Sequence, residues 1–468
     1  MMLLRFVAVA LLSFTGSQVL SADTAKARKP NVILIMADDL GYRDLGCYGH
    51  PEIKTPVLDK MAKEGTRLTN FHSGATVCTP SRMALLTGSY PVRLGWTQGV
   101  AGYKMGARDG LSPEALTIAE IFKSEGYATG ISGKWHIGNL PETRPHAQGF
   151  DDNYYIPLSN NQTKQIQSGD EIVEKPFDNR QLTKQFTDQA LRFVRANREK
   201  PFFLYLPYTA PHFPVEAHPD WKGKSSFGAY GDVVEELDSR IGSIFTLLKE
   251  LKIDEHTIVI FTSDNGPQGG EKASPFPFRG GKWSALEGGT RVPCIIRWPG
   301  NIPGGRELKK LVAAIDFLPS LSRACGIDWQ SKTKNNIKVD GLDVWDTLTG
   351  VESPHPRKEL IYWHGMHAEP QAVQVAGWKL FFEHTSALVA LKPQMTTPEQ
   401  MTKLNAYQKS LGENPAPRSF LSHLPEDLGE VNDLSEEHPQ KVEDLKERAE
   451  VLMNEVNAGE KLEIFKAK

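Results

Sequence analysis

Cysteine is scarce in this chain: 468 residues carry only 4, at Cys47, Cys78, Cys294 and Cys325. That is too few for a disulfide scaffold, and the spacing lacks the close pairs of a structural zinc site. An excess of charge of one sign is also missing, since 54 basic and 57 acidic residues leave a formal net charge of -3. Such a balance excludes the electrostatic footprint of a protein that wraps nucleic acid or coats an anionic membrane. No apolar run approaches the roughly 20 residues of a membrane-spanning helix. Internal repeats are absent as well. What is present is an ordinary globular composition, 40% hydrophobic, 24% charged and 9% aromatic, which argues against disordered, collagen-like and coiled-coil readings. The length allows at least one large core.

The N-terminus has the layout of a secretory signal peptide, residues 1–22: one positive charge within Met1–Arg5, an apolar run from Phe6 to Leu12, then small and polar residues to Ala22 before Asp23. The mature protein is therefore expected outside the cytoplasm with the signal removed. No cysteine lies beside the cleavage region, so a lipoprotein is not expected.

Beyond it, Val32–Met36, Phe202–Leu206, Thr257–Thr262 and Val292–Trp298 read as buried strands, near-continuously apolar in the manner of parallel strands. Pro56–Glu64, Thr117–Glu125, Thr183–Glu199 and Asp232–Lys252 carry helical spacing. This alternation predicts a large doubly wound α/β domain with a mostly parallel sheet, over about residues 30–355. From residue 356 to 468 the texture changes. Leu360–Trp363, Ala372–Val375 and Lys379–Glu383 are short strands, the last two joined tightly through Ala376-Gly377-Trp378, and Gln394–Ser422 reads as an irregular insertion. A helix over Pro439–Asn457, with Val442, Leu445, Leu452 and Val456 on one stripe, is expected to pack on this antiparallel sheet and complete a smaller α+β domain.

Candidate chemistry collects at strand ends. The first strand runs into Asp38-Asp39, and Thr257–Thr262 runs into Ser263-Asp264-Asn265. In open α/β sheets ligands bind at the carboxyl ends of strands. Three carboxylates brought together there would repel unless a cation sat among them, and oxygen ligands favour Ca²⁺ or Mg²⁺. Taken singly, the same residues could merely cap turns.

The window Val77–Gly88 reads as a short helix with Thr79 as N-cap, Pro80 first and Gly88 last, placing Cys78 just before a helix N-terminus suited to an oxyanion. Arg82, one turn inside, can reach back to that spot. A buried structural cysteine is the alternative. After the strand Tyr127–Ser132, Lys134 and His136 are two apart and would project together in extended backbone. His212 lies past the strand Phe202–Leu206, where a general acid could stand. Gly280-Gly281-Lys282 before Glu287-Gly288-Gly289 suggests a loose loop that lays Lys282 over an anion, or a plain surface loop.

Together these six segments resemble the formylglycine-dependent sulfatases of the alkaline phosphatase superfamily, in the branch of arylsulfatase A and N-acetylgalactosamine-6-sulfatase. Cys78-Thr79-Pro80-Ser81-Arg82 with Leu86-Thr87-Gly88 matches the first family signature and Gly133–Gly138 the second. The resemblance runs from about Pro30 to Pro299 and implies an alkaline-phosphatase-like fold. It implies that a formylglycine-generating maturation enzyme converts Cys78 to formylglycine, whose hydrate attacks sulfur and then expels sulfate. It further implies that Asp38, Asp39, Asp264 and Asn265, with residue 78, hold one Ca²⁺. Arg82 and Lys134 would orient the hydrate, Lys134 and Lys282 would stabilise the sulfuryl group, His212 would protonate the leaving sugar oxygen, and His136 would assist hydrate deprotonation. The substrate implied is a sulfated carbohydrate, such as a 6-sulfated galactose or N-acetylgalactosamine. A phosphate or phosphonate monoester hydrolase of the same superfamily is the rival enzyme, and a catalytically silent binder of sulfated glycan the rival outside enzymes.

Specificity is expected in the loops Thr97–Asp109, Asn139–Asp178, Phe213–Phe227 and Gly266–Arg279, with His364 and His367 from the small domain and Trp221 and Trp283 as candidates for stacking on sugar. Cys47, Cys294 and Cys325 are expected as buried thiols. Asn161-Gln162-Thr163 fits a glycosylation acceptor.

Overall fold

A computed structural model of the chain describes residues 28–466, apart from 97–98, 102–108, 270–271, 334–337, 364, 366–368, 383–397, 400–401, 404, 407–417, 459–460 and 464. The signal-peptide segment, His364, His367 and most of the loop 97–109 therefore lie outside the described residues. So does most of the stretch Gln394–Ser422, although its end is regular structure.

In chain order the strands are β1 (Asn31–Ala37), β2 (Thr66–Leu68), β3 (Phe71–His72), β4 (Asp109–Gly110), β5 (Ala128–Lys134), β6 (Asp152–Ile156), β7 (Ile166–Ser168), β8 (Glu171–Glu174), β9 (Phe202–Pro207), β10 (Thr257–Ser263), β11 (Cys294–Arg297) and β12 (Arg306–Leu308), followed by β13 (Val312–Ala313), β14 (Glu359–Trp363), β15 (Pro370–Val375), β16 (Trp378–Phe381), β17 (Phe420–His423) and β18 (Phe465–Lys466). Ten of them form one sheet in the order β12-β2-β11-β10-β1-β9-β5-β6-β7-β8. Its centre, β10-β1-β9-β5-β6, is parallel throughout. The expectation for Val292–Trp298 needs correcting: β11 is shorter and antiparallel to both β10 and β2. An apolar run reports burial, not direction, because both faces of a central strand are covered in either case.

The residues of β1 alternate between two cores. Val32, Leu34 and Met36 join one cluster, and Ile33, Ile35 and Ala37 join the other. Helix α1 (Pro56–Glu64), α4 (Leu182–Ala196) and α5 (Ala229–Glu250) cover the second face, while α2 (Cys78–Thr87), α3 (Ile118–Ser124) and α7 (Phe317–Ala324) cover the first. The short helices α6 (Glu287–Thr290) and α8 (Trp345–Thr349) lie in connections. Local signals explain several boundaries. Thr117 and Glu120 form a reciprocal capping box before α3. Pro56 opens α1, and its first amides are taken by Asp238 of α5.

The small sheet has the order β14-β15-β16-β17 and is antiparallel throughout. Ala376 and Gly377, with φ of 50° and 87°, form the two-residue turn between β15 and β16. Helix α9 (Pro439–Asn457) buries Val442, Leu445, Ala449 and Val456 and packs against β15 and β16. No helix among the described residues is long and apolar enough to cross a membrane.

Candidate active site

Parallel pairing of β1 with β10 in the register Ala37–Ser263 brings Asp38 and Asp264 to the same carboxyl edge. There the Asp38 amide donates to Ala210 O at 3.0 Å, and the Asp264 amide to Ala37 O at 3.2 Å. Asp39 turns through φ 65°, a conformation Asp tolerates, and its amide donates to Asp264 Oδ1 at 3.1 Å. The loop after β9 returns to this edge with His212. Ligand atoms of Asp38, Asp39, Cys78 and His212 all lie within 4.8 Å of one another, and all four residues are buried.

Helix α2 enters from the other side, and one local reading fails here. The helix starts at Cys78 itself with Val77 as N-cap, so Thr79 does not cap it. Thr79 Oγ1 instead donates to His136 O at 2.8 Å and accepts from the Ala101 amide at 2.9 Å. These two tertiary bonds outweigh a local cap. Cys78 Sγ faces Asp38 Oδ1 at 3.7 Å. Burial pushes its thiol up to about 12, so the unmodified side chain is a neutral, weak nucleophile at ordinary pH.

Three cations answer three carboxylates. Lys134 Nζ donates to Asp38 Oδ2 at 2.7 Å, Lys282 Nζ to Asp39 at 2.9 Å, and Arg82 to Asp264 Oδ2 through Nε at 3.1 Å and Nη2 at 2.7 Å. Burial opposes the charge on Asp38, yet Lys134, followed by His212 and Arg82, holds its pKa down at about 2. Burial likewise opposes the charge on Asp39, and Lys282 overcomes it. A dication added to this balanced set would leave net positive charge, which an anionic ligand would offset in part.

The oxygen donors at this edge suit a hard cation. Beside the thiol of Cys78 and the imidazole of His212 stand the carboxylates of Asp38 and Asp39, and Asn265 Oδ1 is buried with no hydrogen-bond partner among the described residues, while Asn265 Nδ2 donates to Asp39 Oδ1 at 2.7 Å. An acceptor left open beside carboxylates fits an oxygen-ligated ion such as Ca²⁺ or Mg²⁺.

The two histidines are set differently. His136 lies beyond β5 with φ 59°, so it reaches the site by leaving the strand and not by the extended alternation expected with Lys134, the last residue of β5. Its Nε2 donates to Ala101 O at 3.0 Å, and its buried Nδ1 has no partner among the described residues. Burial and the nearby Lys134 and Arg82 keep this ring neutral. His212 Nδ1 lies 2.6 Å from Phe213 O, which fixes the proton there and turns Nε2 toward Asp39 Oδ2 at 3.6 Å. Burial lowers its pKa despite Asp38 and Asp39.

All ten predicted site residues are thus brought to one edge of the sheet. Two neighbours were not singled out from sequence: Asn160, whose Oδ1 is 3.1 Å from His212 Nδ1, and Ser159, 3.4 Å from its Nε2. They lie between β6 and β7, in the 139–178 stretch, which supplies three strands of the large sheet and is not the loop expected, and no motif marks them. The glycine-flanked segment around Lys282 is not the loose loop expected, because residues 285–290 are buried. Among the other cysteines, Cys294 and Cys325 are buried free thiols as expected, whereas Cys47 is half-buried.

Comparison with known proteins agrees with this geometry. The family model described as Sulfatase matches residues 30–327. Human arylsulfatase A is 36% identical over 388 residues, covering 76% of this chain and 74% of that protein. The dog N-acetylgalactosamine-6-sulfatase is 36% identical over 372 residues, covering 72% and 69%. A solved structure from work on glycosaminoglycan metabolism by Bacteroides thetaiotaomicron superposes with a TM-score of 0.76 at 27% identity, over 91% of this chain and 99% of that one.

Proposed function

The chain belongs to the sulfatase family and is a sulfuric ester hydrolase, and from that premise we propose that it removes sulfate from a sulfated carbohydrate through a formylglycine made from Cys78, beside a bound calcium ion. The observation that carries this reading is the meeting of Cys78 with Asp38, Asp39 and His212 among three buried cations. The carbohydrate follows the relative directed at a sulfated N-acetylgalactosamine.

Asp38, Asp39, Asp264 and Asn265, with residue 78, would hold the ion, which when bound neutralises sulfate oxygens and acidifies the adjacent hydroxyl. The formylglycine hydrate supplies the nucleophile that the neutral thiol cannot. Lys134 and Lys282 hold the ester oxygens and offset charge as the sulfur–oxygen bond lengthens. His136 Nδ1, an open acceptor, takes the proton from residue 78. His212 would deliver a proton from Nε2 to the leaving sugar oxygen in its charged form, which burial opposes and Asp38 and Asp39 favour. Arg82 ties Asp264 to Lys134 O at 3.0 Å and so holds the two sides of the site together. Residues 30–355 carry this chemistry and residues 356–468 form the accessory domain. Residues 1–22 direct export and are removed, and a formylglycine-generating enzyme is the maturation partner.

The test is release of inorganic sulfate and phosphate from a panel of sulfated and phosphorylated sugars, using protein co-expressed with that maturation enzyme. Sulfate release that disappears in Cys78→Ala is the expected result, with residue 78 of the active protein carrying an aldehyde by mass spectrometry. Phosphate release alone, or full activity with an intact thiol, would refute the proposal.

A further inference from the structure

Lys282 reaches Asp39 from a segment that the small domain grips at both ends. Its backbone amide donates to Pro267 O at 2.9 Å, and the next amide, of Trp283, donates to Thr76 O at 2.9 Å, two residues before Cys78. The segment closes on itself where Gly288 N donates to Arg279 O at 2.9 Å. Packing there is tight enough that a Cβ on Gly289 would lie 1.9 Å from Ser284 O. At one end, the buried Arg279 side chain donates to Gly429 O at 2.8 Å and to Glu430 O. At the other, the Glu287 amide donates to Glu430 Oε2 at 2.7 Å, while Lys379 Nζ of β16 lies 2.8 Å from Glu287 Oε1 and 3.1 Å from Glu430 Oε1. Glu287, Lys379 and Glu430 have no exposed side-chain surface.

We propose that Lys379 and Glu430 are positioning residues of the small domain that set Lys282 in the anion site by fixing the 279–289 segment at Glu287 and Arg279. The inference rests on the reading of Lys282 given above. Three features favour this role over general adhesion between the domains. The contacts land on the two ends of the segment that carries the site lysine. They include backbone groups, which fix a path and not merely a charge. A buried ion pair of this kind adds little net stability but penalises any displaced arrangement, because a shifted segment leaves a buried charge unpaired. A displacement of about 1 Å at a reacting centre can cost roughly 100-fold in rate.

The experiment measures the affinity of the full, matured chain for inorganic sulfate, the product anion, by calorimetry, with conversion of residue 78 quantified in every variant. Glu430→Ala removes the acceptor of the Glu287 amide, whereas Glu430→Gln keeps an oxygen there. Expected are a roughly 10-fold loss of sulfate affinity in Glu430→Ala, a smaller loss in Glu430→Gln, which keeps the acceptor of the Glu287 amide but not the charge facing Lys379, and almost no further loss when Glu430→Ala is added to Lys282→Ala, since coupled residues are non-additive. Lys379→Met reports on the same coupling if Glu430→Ala does not fold. An equal loss with and without Lys282, or no loss in Glu430→Ala and Lys379→Met, overturns the positioning role while leaving the reading of Lys282 intact. Unchanged sulfate affinity in Lys282→Ala alone would instead refute that reading, and the inference with it.

Discussion

Arg82 has no exposed side-chain surface and spends its guanidinium on Asp264, Lys134 O and, at 3.5 Å, Asp38. Replacing it with alanine leaves buried carboxylates short of a cation, so Arg82→Ala should lower unfolding stability by about 3–5 kcal/mol, measured by urea titration. Arg82→Lys should recover only part of that, because an ammonium cannot make the forked contact. Asn265 gives a second check at this scale. Calcium at about 100 times its dissociation constant should stabilise the wild type by roughly 2.7 kcal/mol. That gain, read as a thermal shift reversed by a chelator, should largely vanish in Asn265→Ala; an equal shift in both proteins would exclude Asn265 as a ligand. Most of these residues are legible in the sequence because each sits at the end of a recognisable strand or in a signature segment. Asn160 is not, because its role depends on a loop folding back onto His212, and nothing within the loop records that approach.

Elements are legible where local chemistry decides them. The bounds of α1 and α9 agree with Pro56–Glu64 and Pro439–Asn457, since Pro at the first position and a regular apolar stripe are properties of the segment alone. Thr117→Ala breaks the capping box of α3, which contributes no site side chain, and should cost about 1 kcal/mol with little change in turnover per folded molecule. Gly88 ends α2 with φ 66°, and a Cβ there would meet Val339 Cγ1 at 2.9 Å. Gly88→Ala should therefore destabilise by at least about 1–2 kcal/mol from backbone strain alone, seen as a lowered denaturation midpoint. The start of α2 and the direction of β11 were misread for one reason. In both, a neighbour from another part of the chain settles the outcome: the Thr79 hydroxyl is taken by His136 O and Ala101 N, and β11 is placed by its pairing with β2 and β10.

At the scale of the whole molecule the junction between the small antiparallel sheet and the rest of the structure holds buried charge. His72 of β3 lies there without exposure, 3.2 Å from both Thr290 Oγ1 and Tyr362 OH and 3.1 Å from Asn70 Oδ1. Burial brings its pKa down to about 3, against 6.5 in the unfolded chain. A base with a depressed folded pKa contributes stability that is present above 6.5 and is lost as pH falls toward 3, because the unfolded chain takes up the proton first. The loss should reach about 1.4 kcal/mol by pH 5.5, and a His72→Gln protein should show a flatter fall in stability over pH 7 to 5. Equal slopes would mean that His72 titrates in the folded protein as it does in the unfolded chain, so that burial does not depress its pKa. The sequence by itself determined the strand–helix alternation, the antiparallel small sheet and the identity of the residues at the carboxyl ends of the strands, because these depend on periodicity, turn chemistry and short motifs. Only the tertiary structure decided that Lys282 stands on Asp39 from a segment held by Lys379 and Glu430, about 100 and 150 residues further along. Buried ion pairs between distant segments leave no local pattern, since any Lys or Glu far along the chain looks like solvated surface until the fold removes the water around it.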